Sequence, residues 1–561
     1  MNPSDMFGLK RSGRHAGIGN GSKTAHEGEN VMTQKTIGFV GPDGRSCMCA
    51  YSVSTVESEK YVGAVIKGMT GMGPVLDAVR GKKKWPLKIF PVEGKSVADY
   101  KQVIVKAFEA GEVDYVVIMP EDLVYEGIVN DLIEEGYGDR VVGLTKEAAF
   151  IEGDKVKAKV WMRRAGVPVA PFKVADARNL QQIKGIVTQY IRKHGGAVLK
   201  YPYSAGGKGS RPVFRVEDIL DVWNIFKRAY SEKYAEMHGD KKWPLLIEAW
   251  KSEIEISFTT LVDGKGNFRV LPTAMDYPLR FEGPPSQTNP VTGGMAAIGM
   301  HPAETPELIK MVRERVFQLF VKEMQEGGIL RPCILYPGCR VSIDPVTGKP
   351  VDILVYEMNI RAGEPEMQVV ARRLKNLGEL VVATIEGRLD AVAPDVREEQ
   401  ISICMALVTG PGGPRGQKGY PESYTKYEPV VINFKSLEKR GILIVPSNIS
   451  WDEEKKRLVS DGSRVFYLSK NATVKPGQKR GDVAKILRNM LLQAFDHGLA
   501  RVVPREAEET FEAAEILFSQ GTIPTAEFEK AKAAFEKANR LDIRRDPGRI
   551  YEEWDELYPD W

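Results

Sequence analysis

The stretch AVLKYPYSAGGKGSRPVF, residues 197–214, poses the question on which the fold and function of this chain depend. Its apolar first half predicts a strand that carries Lys200, and Lys208 follows eight residues later inside a glycine-rich loop. Glycines let backbone N–H groups approach phosphate oxygens closely, and a lysine adds positive charge. The spacing differs from that of a Walker A loop, and a loop of this kind taken alone is better interpreted as a hairpin turn. Its meaning therefore depends on what else the chain carries.

Length and composition describe a globular protein. A chain of 561 residues can form several domains, each with its own core. Hydrophobic residues make up 43% and charged residues 27%, both close to globular averages. The formal net charge of +4 argues against nucleic acid or an anionic membrane as a partner. An odd number of cysteines without disulfide or metal spacing favours a reducing cytosol: Cys47, Cys49, Cys333, Cys339 and Cys404.

Targeting signals are absent from the sequence pattern. Residues 1–34 are polar and glycine-rich and lack the apolar segment of a secretory signal, so we predict a disordered leader. No run approaches the roughly 18 apolar residues of a membrane helix. The expected location is the cytoplasm.

The first structured region, residues 35–145, has the pattern of a small parallel α/β domain. The strands predicted in KTIGFVGPDGR (35–45) and DYVVIMPED (114–122) each end in a turn with glycine or acidic residues. Ligands of such sheets bind at the carboxyl ends of the strands. The candidate ligand-binding residues of this domain are Gly41, Gly44, Arg45 and Glu121.

Three further regions follow. Residues 146–390 begin with two predicted helices and continue as α+β structure, with the glycine loop in a lobe at about 195–260. Residues 395–500 predict a strand-rich C-terminal α+β domain. The tail, 501–561, is charged amphipathic helix, which we expect to pack on the body of the protein or on a partner.

The segment IEAWKSEIEISF, residues 247–258, supplies the first companion of the glycine loop. Glu248 ends a predicted strand, and Glu255 alternates with apolar residues on the next one. Carboxylates at such positions can accept hydrogen bonds from an adenine amino group or ribose hydroxyls. A solvated strand face is the preferred interpretation when the segment is taken alone.

The segment DILVYEMNIRAGEPEMQ, residues 352–368, supplies the second companion. Glu357 and Asn359 are two apart on a predicted strand, so their side chains lie on the same face. Mg²⁺ prefers hard oxygen ligands, often one or two protein groups together with phosphates. Arg361 continues that face and suits a carboxylate or a phosphate. An exposed strand edge is the alternative.

The third companion is NPVTGGMAAIG, residues 289–299, interpreted as a Thr-Gly-Gly-Met loop for backbone contacts with an anion. A plain surface loop is the alternative. The residues concerned are Thr292, Gly293, Gly294 and Met295.

Taken in their order along the chain, these motifs resemble those of the ATP-grasp enzymes, and among them the phosphoribosylamine–glycine ligases. That family reads K-A-D-G-L-A-A-G-K-G where this chain has Lys200 to Gly209, and E-F-N-x-R-x-G-D-P-E-x-Q where it has Glu357 to Gln368. It also reads N-T-G-G-M-G near 291–296. The resemblance covers about residues 36–498, and the motifs together are specific.

The resemblance implies an ATP-grasp fold and an ATP-dependent ligase that forms an amide through an acyl phosphate. Substrates would be ATP, glycine and phosphoribosylamine, with Mg²⁺ or Mn²⁺ held by Glu357 and Asn359. Arg361 and Lys200 would act on the reacting carboxylate and the phosphates. The implied ATP contacts are Lys155, Lys200, Ser204, Gly206, Gly207, Lys208, Gly209, Glu248 and Glu255. The implied substrate contacts are Gly41, Gly44, Arg45, Glu121, Asp276, Thr292, Gly293, Gly294, Met295 and Arg361.

Departures from the family pattern cluster on the side that would bind the amine. The family's G-x-G-G-R-E-H-A turn appears here at residues 41–48 without its histidine, and Glu364 replaces an aspartate. The segment MDYPLR, 275–280, keeps only part of Asp-His-Lys-Arg. One alternative is therefore a paralogous ligase with a different carboxylate and amine. Another is a non-catalytic ATP-binding scaffold that docks through the helical tail.

Overall fold

The structure is a computed structural model that describes residues 34–67, 87–94, 96–203, 209–239, 241–281, 289–410, 419–497, 499–502 and 505–538. The predicted leader, apart from Gln34, lies outside the described residues. Within the described ranges, helices that combine the length and the apolarity needed to cross a bilayer do not occur. The five cysteines are free and buried.

A five-stranded parallel sheet forms the N-terminal region, in the order β3-β2-β1-β4-β5. Its strands are β1 Lys35–Val40, β2 Tyr61–Lys67, β3 Lys88–Pro91, β4 Tyr115–Ile118 and β5 Val141–Val142. The helices that cover it are α1 Gly44–Val56, α2 Val97–Glu109, α3 Glu121–Glu126 and α4 Ile128–Glu134, with a 3₁₀ turn at Gly138–Arg140. Both strands predicted from the sequence in this region are confirmed.

The carboxyl edge of this sheet is where the predicted ligand-binding residues collect. Gly41 follows β1 with φ of +142°, a conformation that favours glycine, and its N–H bonds to the Ile66 carbonyl at 2.9 Å. Helix α1 then begins at Gly44, and α3 begins at Glu121 after β4. The sheet therefore brings residues 80 positions apart in sequence to one edge.

Two short helices connect this region to the rest, as the sequence predicts: α5 Phe150–Gly153, preceded by a 3₁₀ turn at Lys146–Ala148, and α6 Lys155–Arg164. The Asp154 side chain caps α6 by accepting from the N–H groups of Val156 and Lys157. Gly166, with φ of +80°, ends the helix. Lys155 and Lys159 thus lie one helical turn apart on the same side.

The glycine loop belongs to an antiparallel four-stranded lobe with the order β6-β9-β7-β8. Its elements are β6 Phe172–Asp176, α7 Leu180–His194, β7 Ala197–Lys200, β8 Ser210–Val213, a 3₁₀ turn at Val216–Asp218, α8 Ile219–His238 and β9 Pro244–Ala249. Strands β7 and β8 form a hairpin, and the Tyr201 N–H bonds to the Gly209 carbonyl at 2.8 Å. Ser204, Gly206, Gly207 and Lys208 at its tip lie outside the described residues.

A second sheet faces this lobe and is built around a long antiparallel hairpin, β15 and β16. The strands of this sheet are β10 Ile254–Ser257, β11 Thr260–Val262, β12 Phe268–Val270, β15 Cys333–Ile343 and β16 Pro350–Asn359. Between β12 and β15 the chain also forms β13 Met275–Leu279 and β14 Val291–Gly299. Helices α9 Pro306–Val312 and α10 Gln318–Glu326, joined by a π-helical turn at Arg313–Phe317, pack beside it.

Strands β13 and β14 belong to a different sheet, in the order β13-β14-β17-β22-β19. The remaining strands are β17 Gln400–Val408, β18 Pro429–Ile432, β19 Leu443–Pro446, β20 Ile449–Asp452, β21 Arg457–Ser460, β22 Arg464–Thr473 and β23 Ala500–Val502. Helices of this part are α11 Glu366–Arg373, α12 Leu377–Glu386, α13 Phe434–Lys439 and α14 Arg480–Asp496, with a 3₁₀ turn at Leu389–Ala391. This sheet therefore crosses the domain boundary expected near residue 390, and the domain limits remain predictions.

The predicted helical tail is present as α15 Arg505–Ser519 and α16 Thr525–Ala538. The two helices pack on each other through stacked rings, with the Phe518 and Phe528 centroids 4.5 Å apart. Ile516 remains 57% exposed. Pairing within the hairpin uses part of the apolar stripe, and the partner contact expected for the tail is not supported.

Candidate functional site

A cavity of about 400 Å³ lies between the glycine-loop lobe and the sheet of β15 and β16. Strand ends from the lobe, from that sheet and from β13 and β14 contribute side chains to its wall. Such a junction of several elements is a usual place for a ligand site. The predicted site residues that line it are Lys200, Glu248, Glu255, Asp276, Thr292, Gly293, Glu357, Asn359 and Arg361.

At the lobe end of the cavity, one carboxylate joins two lysines. Glu248 Oε2 lies 2.6 Å from Lys200 Nζ, and Glu248 Oε1 lies 2.8 Å from Lys159 Nζ. Lys159 also donates to the Val355 carbonyl at 2.9 Å and is 1% exposed. Burial would raise the pKa of Glu248, but Lys159 and then Lys200 hold it below its usual value. Glu248 is therefore ionised, and the Lys200 side chain that pairs with it lies in the wall of the cavity.

Glu255 lies on β10 at the same end of the cavity, and both oxygens of its carboxylate have partners within the protein. Its Oε2 lies 2.7 Å from Arg340 Nη2, and its Oε1 accepts from the Tyr356 hydroxyl. The Lys200 ammonium lies 5.4 Å from the centre of the Tyr356 ring. The residues predicted to hold adenine and ribose thus share one wall with Lys200.

Glu357 and Asn359 lie at the end of β16, as the period-two pattern predicts. Burial would raise the pKa of Glu357, but Lys155, whose Nζ is 3.6 Å from Oε2, and then Lys200 lower it. The Asn359 amide N–H₂ donates to the Tyr336 carbonyl at 2.9 Å, which leaves its amide oxygen as the acceptor of that side chain. An ionised carboxylate and an amide oxygen fit two ligands of a hard divalent cation that takes further oxygens from phosphates. Among the described residues there is no group of three His, Cys, Asp or Glu placed to hold a metal.

Arg361 connects the cavity to the N-terminal sheet. Its Nε lies 2.9 Å from Glu121 Oε2, and its Nη2 lies 3.0 Å from Glu152 Oε1. Burial raises the pKa of Glu152 to about 7, whereas Arg361 and then Arg45 overcome burial and lower that of Glu121 to about 2. Arg361 is therefore anchored by two carboxyl groups before any substrate binds.

The N-terminal turn differs from a free anion site. The Arg45 guanidinium is 2.7 Å from Asp43 Oδ2 and also donates to the Ala362 carbonyl. The Arg45 backbone N–H, at the start of α1, donates to Glu364 Oε2 at 2.8 Å, and Glu364 Oε1 accepts from the Gln368 amide at 2.6 Å. A Cβ on Gly44 would come within 2.6 Å of the Gln368 amide nitrogen. Gly41, Gly44, Arg45 and Glu121 are outside the lining of the cavity. Arg45 and Glu121 contact the lining residues Glu364 and Arg361, and the charge of Arg45 is already paired with Asp43.

The Thr-Gly-Gly-Met interpretation needs a correction, because residues 291–299 form strand β14 and not a loop. The Gly293 N–H donates to the Tyr420 hydroxyl at 3.0 Å, and the Gly294 N–H donates to Thr292 Oγ1 at 3.1 Å. Neither N–H points to an empty anion site. Thr292 and Gly293 line the cavity, while the Met295 side chain is fully buried in the core.

Sequence reasoning missed several polar and charged residues that organise the site: Lys159, Glu152, Glu366 and Tyr336. Lys159 could have been found from its place one helical turn after Lys155. Glu364 was singled out only as a departure from the family motif and not for its contacts, and Glu366 lies in the same motif. Glu152 and Tyr336 carry no such local signal.

Comparison of the sequence with known proteins shows the family to which the chain belongs. Residues 153–367 match the model of the ATP-grasp (A) domain of phosphoribosylglycinamide synthetase. The chain is 30% identical over 359 residues to the phosphoribosylamine–glycine ligase of Chlorobaculum tepidum, covering 63% of this chain and 75% of that protein. The chain belongs to the phosphoribosylamine–glycine ligase family. The ligase of Archaeoglobus fulgidus is 29% identical over 384 residues, covering 61% of this chain and 76% of that protein.

Solved structures show the same fold. The phosphoribosylamine–glycine ligase of Thermotoga maritima superposes with a TM-score of 0.58 at 22% identity, over 81% of this chain and 96% of that one. The biotin carboxylase domain of Hydrogenobacter thermophilus 2-oxoglutarate carboxylase, solved with MgADP, ADP and bicarbonate, has a TM-score of 0.53 at 16% identity, over 83% and 90%. The ATP-grasp fold expected from the sequence is confirmed. The departures at residues 41–48 are therefore changes within an established family.

Proposed function

We propose that the chain is an ATP-dependent carboxylate–amine ligase that joins glycine to phosphoribosylamine, with ADP and phosphate as the other products. The observation that supports this function is a single cavity lined by Lys200, Glu357, Asn359 and Arg361. A lysine of this kind suits a phosphate, and Glu357 and Asn359 offer two oxygen atoms to a metal ion. The names of the curated relatives support the same reaction. We expect the protein in the cytoplasm.

The reaction has two steps. A carboxylate oxygen attacks the γ-phosphorus of ATP, and the bond from that phosphorus to the ADP oxygen breaks, giving an acyl phosphate. The amine nitrogen then attacks the acyl carbon, the bond from carbon to the phosphate oxygen breaks, and the nitrogen loses a proton. Positioning and neutralisation of charge supply the catalysis, and the protein needs no nucleophile of its own.

The proposed roles follow the walls of the cavity. Lys155 and Lys200 would neutralise ATP phosphates, with Gly209 at the base of the glycine loop, and Glu248 and Glu255 would bind the nucleoside. Glu357 and Asn359 would hold Mg²⁺ or Mn²⁺, which would neutralise the phosphoryl group in transfer. Arg361, oriented by Glu121 and Glu152, would face the reacting carboxylate.

A second candidate is a ligase of the same chemistry with another amine. It is favoured by the N-terminal turn, where Asp43 neutralises Arg45 and the Glu364 carboxylate takes the N–H of Arg45 at the start of α1. A phosphate at that position would meet two carboxyl groups. An amine substrate without a phosphate would avoid this repulsion.

The deciding experiment measures ADP release from Mg²⁺-ATP and glycine, with and without freshly generated phosphoribosylamine. Turnover that requires both substrates supports the first proposal. Turnover with glycine and a different amine, but not with phosphoribosylamine, supports the second. ATP binding without turnover on any carboxylate and amine would contradict both and favour a scaffold.

A further inference from the structure

A second groove, of about 440 Å³, lies on the surface where α6 meets β6 and α7. It shares no lining residue with the ligand cavity. Its floor is apolar and open to solvent: Val160 is 46% exposed and Val174 is 38% exposed, and Phe172 and Ile186 complete the apolar lining. Apolar side chains that are grouped in an exposed groove, rather than scattered singly, mark a docking site.

The rim of this groove is positively charged, because Arg163 and Lys173 line it. The Arg163 guanidinium lies 4.8 Å from the centre of the Phe172 ring, and Lys173 Nζ donates to Gln189 Oε1 at 2.9 Å; among the described residues neither cation has a carboxylate partner. The sequences of helices α6 and α7 contain no acidic residue. Such a groove fits a segment that combines apolar side chains with carboxylates.

Residues 550–561, IYEEWDELYPDW, have the composition that this groove requires. Five of the twelve residues are acidic, four are aromatic and none is basic. They lie outside the described residues, and the connection 539–549 that follows α16 spans at most about 40 Å when extended. The other long segments outside the described residues, 1–33 and 68–86, carry more basic than acidic side chains, so the rim would repel them.

We propose that residues 550–561 dock in this groove of their own chain, with aromatic side chains on its apolar floor and carboxylates beside Arg163 and Lys173. The connection 539–549 makes the binding intramolecular, with an effective concentration in about the millimolar range, so contacts of modest strength suffice. The docked segment would contact both α6 and the glycine-loop lobe and would hold the two together.

The test is zero-length cross-linking of the full chain with a carbodiimide, which joins a lysine amine to a carboxylate in contact with it, followed by mass spectrometry. We expect cross-links from Lys173 to the acidic residues of 552–556. Lys375, whose Nζ lies 2.9 Å from Asp395 Oδ1, is the internal control. It should link to Asp395 and not to residues 550–561.

Two variants test whether the groove holds the segment. Val160→Glu places a carboxylate in the groove and should reduce the Lys173 cross-links to the level found at Lys375, because it repels the acidic segment. Val346→Glu, at a valine that is 91% exposed between β15 and β16, is the matched control and should leave them unchanged. Trp554→Ala leaves the groove intact and should also reduce the cross-links, because it removes an aromatic contact.

Equal yields of cross-links from the segment to Lys173 and to Lys375 would overturn the proposal, because the segment would then not be held at one place. An unchanged yield in both Val160→Glu and Trp554→Ala would overturn it as well. A mixture of isotopically light and heavy protein identifies the source of the segment. Cross-links found only between light and heavy chains would refute docking within one chain and assign the groove to contact between copies. The measurement needs no turnover, so its result is independent of the ligase proposal.

Discussion

Replacing Lys159 by methionine removes one of the two ammonium groups that balance a buried carboxylate. Methionine keeps most of the length and volume of the lysine stem, so little cavity forms around the new side chain. The ammonium itself lies 2.8 Å from Glu248 Oε1 and 2.9 Å from the Val355 carbonyl. We expect the variant to fold with reduced stability.

The magnitude follows from what remains after the change. Breaking a buried ion pair so that one charge is left alone costs about 3–5 kcal/mol. Here Lys200 still lies 2.6 Å from Glu248, so the carboxylate keeps half of its compensation and about 2 kcal/mol is the appropriate figure. The Val355 carbonyl loses its side-chain donor, which adds about 1 kcal/mol. The expected fall in the free energy of unfolding is about 3 kcal/mol.

A double-mutant cycle with Glu248→Gln, followed by urea unfolding, separates the charge effect from packing. Without the Glu248 charge, Lys159 no longer neutralises a carboxylate and repels Lys200, so Lys159→Met should then cost about 1 kcal/mol or less. Lys322→Met, at a side chain that is 72% exposed, should change stability by no more than about 0.5 kcal/mol. An equal cost of Lys159→Met in both backgrounds would refute the reasoning, because the loss would then be one of packing.

Removal of Lys200 by Lys200→Ala should weaken ATP binding about tenfold, as measured by titration, because one phosphate counter-charge is lost; unchanged affinity would mean that the hairpin is only a turn. Glu357→Gln and Asn359→Ala should each lower kcat by at least about a hundredfold while circular dichroism stays unchanged, and normal activity in either would refute the metal assignment. Glu364→Gln should affect the pH dependence of stability. Since the folded pKa of Glu364, about 7, lies above its ordinary value of 4.5, ionisation destabilises the folded protein as pH rises from about 5 to 8. The stability of the variant relative to the unaltered protein should therefore increase over that range, by at most about 3 kcal/mol, and a difference independent of pH would contradict it.

The parts of the fold that were predictable are those written in short stretches of sequence. The apolar runs at 35–40 and 115–118 became strands, and the two helices predicted at the start of residues 146–390 formed as α5 and α6. Period two placed Glu357 and Asn359 together at the end of β16. Each of these follows from the backbone geometry of a single element and its turn residues.

The residues predicted wrongly or missed were decided by contacts between distant segments. Residues 291–299 look like a loop in sequence, because glycines are poor strand formers, yet pairing with β13 and β17 makes them a strand. Arg45 was a candidate to bind a ligand, but its guanidinium pairs with Asp43 and its backbone N–H donates to Glu364, 319 residues further along the chain. Partners more than a hundred residues away leave no periodic trace near the residue they engage.

Local pattern and motif order were thus sufficient to indicate the family, the strand that carries Lys200 with its hairpin, and the placement of Glu357 and Asn359 on one face of a strand, because those depend on spacing along one strand or turn. Only the folded chain decided which charges are free. Glu248 lies between two lysines, Arg361 between two carboxyl groups, and Glu366 has one oxygen without a partner, since tertiary packing alone brings α6, β9, β16 and α11 around one cavity.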